Sequence, residues 1–155
     1  MALFHWTDAD IYLVARRAYE FYAEGRTEEA AAIFMGLLAL DPANLYCLDA
    51  LTAVCLASGQ PQEAVRCAST LLRLAPEHPG ALARRCEAYI QLGDMESARA
   101  DLQTLSRLQA VPERRQLQLR LDQAGRQSSA FAQAIVKAHK LQKATQPRPC
   151  RSDNL

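Results

Sequence analysis

Apolar positions in this chain recur at helical spacing, and the helices themselves recur at a fixed longer period. Ile33, Phe34, Leu37, Leu38 and Leu40 form one stripe behind the acidic first turn of Glu28 and Glu29, which predicts a helix starting at Thr27. The stretch Tyr22 to Asn44, YAEGRTEEAAAIFMGLLALDPAN, then returns in skeleton. Gly25 recurs as Gly59 and Gly93, Ala30 as Ala64 and Ala98, Leu37 as Leu71 and Leu105, and Pro42 as Pro76, each step being 34 residues. A fixed period of that length is the signature of stacked helix–turn–helix units.

Three units follow, 11–44, 45–78 and 79–112, after a lead at 1–10. Their eighth positions, Ala18, Thr52 and Cys86, are small, as a close helix crossing requires. The fifteenth, Gly25, Gly59 and Gly93, suits a turn with positive φ. The twentieth, Ala30, Ala64 and Ala98, is small again, and Pro42 and Pro76 end their units. The third unit has Ala110 there, with Pro112 two residues later. Helices are expected over about Asp8 to Glu24, Thr27 to Leu40, Leu45 to Ser58, Pro61 to Ala75, Pro79 to Leu92 and onward from Gly93-Asp94 to Gln109.

Thr7 and Asp10 read as a capping box, with Trp6 and Ile11 placed for a hydrophobic staple. Leu3, Phe4 and Trp6 have a second reading, as an interface with another copy. Asn44 reads as a cap, and His78, between two prolines, as a solvated connection. Past Pro112 the period is lost, but helical patterning persists over 113–143. A polar helix from Glu113 to Ala124 is expected to end at Gly125. A second, Ser129 to Lys143, carries Phe131, Ile135, Ala138 and Leu141 on one stripe. Residues 144–155 read as a disordered tail.

Half of the 155 residues are apolar and 23% are charged, which fits one globular domain and excludes a disordered or fibrous chain. The net charge of +1 argues against a general polyanion binder. It hides an asymmetry: residues 1–125 carry a net −4, and residues 126–155, with all three lysines, a net +5. A nucleic-acid or membrane adaptor acting through that end is therefore a rival reading, although interleaved aromatics are missing from it. The five cysteines, Cys47, Cys55, Cys67, Cys86 and Cys150, lack CxxC spacing and read as reduced, structural thiols. The acidic start MALFHWTDAD lacks a long apolar run, so no secretory leader is expected, and no window of about 20 apolar residues offers a membrane span. His5, His78 and His139 form no metal or catalytic pair, and there is no phosphate-binding loop or GxSxG. No enzyme activity, cofactor or metal is expected.

The period and the small-residue positions resemble the tetratricopeptide repeat. The resemblance implies an all-α, right-handed superhelix of three helix–turn–helix repeats with C-terminal capping helices. The fourth position holds Val14, Leu48 and Leu82 rather than Trp, and the eleventh holds Phe21, Cys55 and Tyr89. Such arrays bind partners in a concave groove. That geometry would place Tyr12, Ala15, Tyr19 and Tyr22 in the groove from the first repeat, and Tyr46, Asp49, Ala53 and Leu56 from the second. The third would add Gly80, Ala83, Glu87 and Ile90. Tyrosines among small residues suit an extended hydrophobic peptide with a few anchors. Members that grip acidic chaperone tails carry a Lys/Asn clamp. The matching sites here are Ala15, Tyr19, Ala50 and Gly80, and Arg84 alone agrees.

Size, repeat number, IFMGLLALDPAN and CEAYIQLGDMESARADL further resemble the class II chaperones of bacterial type III secretion, over about residues 11–143. That resemblance implies a bacterial cytoplasmic chaperone that holds a hydrophobic segment of a translocator, and a homodimer as a further expectation. Family members usually carry an extra N-terminal helix, for which this chain has at most ten residues. Two alternatives stand beside it: a chaperone of needle or export-apparatus subunits, and a scaffold subunit of a stable assembly. Neither nucleic-acid binding nor membrane insertion is expected.

Overall fold

The computed structural model describes residues 6–108 and 113–145. Among the described residues seven helices follow in order: α1 (Asp8–Ala23), α2 (Thr27–Leu40), α3 (Leu45–Ala57), α4 (Pro61–Leu74), α5 (Pro79–Leu92), α6 (Met95–Arg107) and α7 (Glu113–Thr145). The expectations for Leu3, Phe4, Ala110, Pro112, Cys150 and the tail from residue 146 lie outside the described residues. So do those for the side chains of Phe131, Ile135, Ala138 and Leu141.

Each helix packs against the next, and α1–α2, α3–α4 and α5–α6 are the three hairpins of a right-handed superhelix. Each hairpin turns in one way. Gly25, Gly59 and Gly93 take φ of +80°, +70° and +78°. The amide after each glycine donates back across the turn: Arg26 to the Phe21 carbonyl at 2.9 Å, Gln60 to Cys55 at 2.8 Å, Asp94 to Tyr89 at 2.9 Å. This is the Schellman closure, which satisfies helix-end carbonyls and needs a residue free of Cβ strain. It repeats every 34 residues because the glycine does.

The small positions do what the period predicts. Ala18, Thr52 and Cys86 are completely buried, as are Ala30, Ala64 and Ala98. Thr52 is tolerated there because its hydroxyl donates to the Leu48 carbonyl at 2.7 Å. Two core clusters result. One, under the first two hairpins, is centred on Phe34, Leu37 and Val54. The other is centred on Leu71, Leu105, Leu117 and Leu121 and closes the third hairpin.

Helix starts carry their caps. Thr7 and Asp10 form the capping box, with the Thr7 amide donating to the Asp10 carboxylate at 2.9 Å. The Asn44 side chain accepts from the Cys47 amide at 3.0 Å. His78 differs from expectation: its Nδ1 accepts from the Ala81 amide at 3.1 Å, which makes it the cap of α5 rather than a solvated connection.

The largest departure is α7. It is one helix of 33 residues that runs through Gly125, where two helices were expected, and it reaches Thr145, inside the stretch assigned to the tail. One glycine costs a helix interior about 1 kcal/mol relative to alanine, and its neighbours Gln123, Ala124, Arg126 and Gln127 are good helix formers. The first turns of α7 pack on α5 and α6 through Leu117 and Leu121.

Candidate functional site

The inner helices α1, α3 and α5 line one face, and the exposed aromatics gather there. Tyr12, Tyr19 and Tyr46 keep 61%, 50% and 48% of their surface in solvent, high for rings of that size. Tyr12 and Tyr46 meet across the repeat boundary with ring centroids 6.5 Å apart, and Tyr19 stands edge-on to Tyr22 at 5.7 Å. Burial pushes the Tyr46 phenol above its ordinary value, and Tyr12 and Tyr19 add to the shift. Tyr22 differs from the other three in resting partly on the first core cluster.

Deeper along the face an open cleft of about 400 Å³ lies where α1, α3, α5 and α7 converge. Ala53, Leu56 and Ala57 of α3 and Ala83 of α5 make its apolar floor. Tyr22, Arg84, Glu87 and Gln91 form the rim, and Gln116 and Leu117 of α7 the end wall. Asp49 pairs with Arg84, joining α3 to α5, and Glu87 pairs with Arg120, joining α5 to α7.

The structure thus brings Tyr22, Ala53, Leu56, Ala83 and Glu87 together around the cleft, with Tyr12, Tyr19 and Tyr46 on the same inner helices. It removes Ala15, which is fully buried. Ala15 lies three residues from Ala18 on the side of α1 that packs into the first core, and a methyl group does not reach past the neighbouring tyrosines. Ile90 leans on the second core cluster and does not line the cleft. Gly80 sits beneath the Asp49–Arg84 pair, and Asp49 itself is spent on Arg84. The period could have supplied Ala57 and Gln91, which are 34 residues apart and adjoin groove positions. Nothing periodic pointed to Gln116, Leu117 or Arg120, because α7 lies outside the repeats.

Among the described residues no group of three or more His, Cys, Asp and Glu side chains could hold a metal ion. No described helix is long and apolar enough to cross a membrane. The site offers contact surface: rings with polar tips, an apolar floor and internally paired charges.

A family model of the tetratricopeptide repeat matches residues 55–121. The first TPR domain of the human RPAP3 protein is similar in structure, with a TM-score of 0.71 at 16% identity over 77% of this chain and 95% of that one. The Yersinia enterocolitica type III secretion translocator chaperone SycD is similar over 93% of this chain and 92% of its own, with a TM-score of 0.67 and 23% identity. The second TPR of Spaghetti (RPAP3), bound to the HSP90 peptide SRMEEVD, has a TM-score of 0.60 at 26% identity, over 63% of this chain and 91% of that one. No curated protein sequence matches significantly. Glycine turns, buried small positions, the match over residues 55–121 and these neighbours agree on the fold: a tetratricopeptide-repeat superhelix, a fold that serves as a scaffold for binding other proteins.

Proposed function

We propose that this protein is a bacterial cytoplasmic chaperone that holds an extended hydrophobic segment of a type III secretion translocator in its groove. The observation that carries the reading is the run of solvent-exposed rings, Tyr12, Tyr46 and Tyr19, on the face that leads to the apolar cleft. A folded chain leaves three such rings in water at a cost, and they are where a partner gains most by burying area. The likeness to SycD along nearly the whole chain supports the class of partner. A rigid groove orders little on binding, so the apolar anchors of the client would contribute most of their burial to affinity.

The test is capture from the cytosol of the native host, read by mass spectrometry, with a variant carrying Tyr12→Ala, Tyr19→Ala and Tyr46→Ala. These three rings are half exposed, so the variant should keep the wild-type helical circular dichroism and melting temperature. One dominant secreted, hydrophobic partner, lost with the variant, is the expected result. A needle or export-apparatus subunit in its place would move the client within the same system. A multi-subunit complex retained by the variant would overturn the chaperone reading in favour of a scaffold.

A further inference from the structure

The cleft holds its own counter-charges. Arg84 lines it, and the Asp49 carboxylate reaches across from α3 to meet that guanidinium. Glu87 lines it as well, and Arg120 comes from α7 to meet Glu87. These partners come from different helices, so the tertiary fold and not local sequence holds each pair. Asp49 and Glu87 are the less exposed members, with 27% and 19% of their side-chain surface in water. Gly80 makes room for the first pair: a Cβ at that position would lie 3.1 Å from Arg84 Nη1 and 3.6 Å from Asp49 Oδ1. The space that a side chain would fill is taken by the ion pair.

We propose that Asp49 and Glu87 are the selectivity residues of this groove. They hold Arg84, which lines the cleft, and Arg120 of α7 beside it in ion pairs, and thereby turn away acidic peptides. The inference rests on the reading of the groove as a peptide-binding face. An incoming carboxylate must displace a resident one from the same guanidinium, and the displaced group then stays beside it as a like charge. An uncharged segment meets no such obstacle. It leaves both pairs in place and covers Ala53, Leu56 and Ala83. The occupant that fits is therefore a neutral, apolar stretch of chain rather than an acidic terminus.

The test titrates two fluorescent probes against the full chain, each carrying its dye on the N-terminal amine: the acidic peptide SRMEEVD, and an uncharged counterpart SQMQQVN with an amidated C-terminus. Wild type should bind SRMEEVD no better than the neutral probe. Asp49→Asn with Glu87→Gln should bind SRMEEVD at least about tenfold more tightly, with the gain lost in high salt and the neutral probe unchanged. Three results would overturn the proposal. One is wild type binding the acidic peptide more tightly than the neutral probe. Another is a variant of wild-type helicity and melting temperature that gains nothing, and the third is an equal gain for both probes. Asp49→Asn and Glu87→Gln as single variants give the same reading should the double variant not fold. No client enters this assay, so failure to capture a secreted partner counts against the chaperone reading and leaves the selectivity result standing.

Discussion

Arg85 on α5 grips Asp101 on α6 with two parallel hydrogen bonds, Nε to Oδ2 at 2.8 Å and Nη2 to Oδ1 at 2.6 Å. The remaining arm, Nη1, donates to the Ser69 hydroxyl on α4 at 3.2 Å. One side chain thus ties three successive helices, and Asp101 is 5% exposed. Donating these bonds to Asp101 raises the guanidinium pKa of Arg85 above its ordinary value. Removing one partner of such a buried pair leaves the other charge without compensation.

Asp101→Ala should therefore cost about 3–5 kcal/mol, as loss of one member of a buried ion pair does. Urea unfolding followed by circular dichroism measures it directly. A loss under about 1 kcal/mol, the range of exposed pairs, would mean that the clamp is incidental to the fold.

The cap at His78 gives a second expectation. His78 follows Asn44 by 34 residues, and both accept a hydrogen bond from the amide three residues on. His78→Asn should hold the stability of the protein, whereas His78→Ala should lose about 1 kcal/mol, the usual value of a helix cap. Equal stability of the two variants would remove Nδ1 from the capping role.

That pairing also indicates what sequence can and cannot disclose. Each feature that depends on the repeat frame was readable: the φ-positive glycines, the buried Ala30, Ala64 and Ala98, the cap at Asn44. Even the role of His78 was latent in the period, although its two flanking prolines suggested a loop. Features set by contacts between repeats were not readable. Ala15 is core because α1 turns that side inward, and Asp49 meets Arg84 only after α3 and α5 pack. The course of α7 through Gly125 was hidden for a different reason. One weak helix former among strong ones looks like a stop, and the balance lies in the summed propensity of its neighbours.

Acid should weaken the helix starts before anything else. The Thr7 hydroxyl and amide hold the Asp10 carboxyl below its ordinary 3.8, and Ser97 does the same for Asp94. A carboxylate depressed in the folded state contributes stability that is present above the unfolded value and lost as pH falls through the folded one. The melting temperature should accordingly decline below about pH 4. Asp10→Asn with Asp94→Asn should flatten that decline, and an unchanged slope in thermal melts of the variant would refute the assignment.

The thiols should separate by reactivity. The Cys55 thiol on α3 neighbours Cys67 on α4 and holds the Cys67 thiol below its ordinary value, while its own is pushed up. Burial pushes Cys86 up to about 12, and its sulfur also donates to the Ala98 carbonyl at 3.3 Å. Burial raises Cys47 as well. Alkylation needs the thiolate, so Cys67 should be the first of these four to react with iodoacetamide near neutral pH. Its lead should come from the neighbouring thiol: Cys55→Ala removes that thiol, returns Cys67 toward its ordinary value and slows its labelling. Peptide mapping of a labelling time course reads both effects. If Cys86 reacts as fast as Cys67, or if Cys55→Ala leaves the Cys67 rate unchanged, the two thiols do not act as a pair.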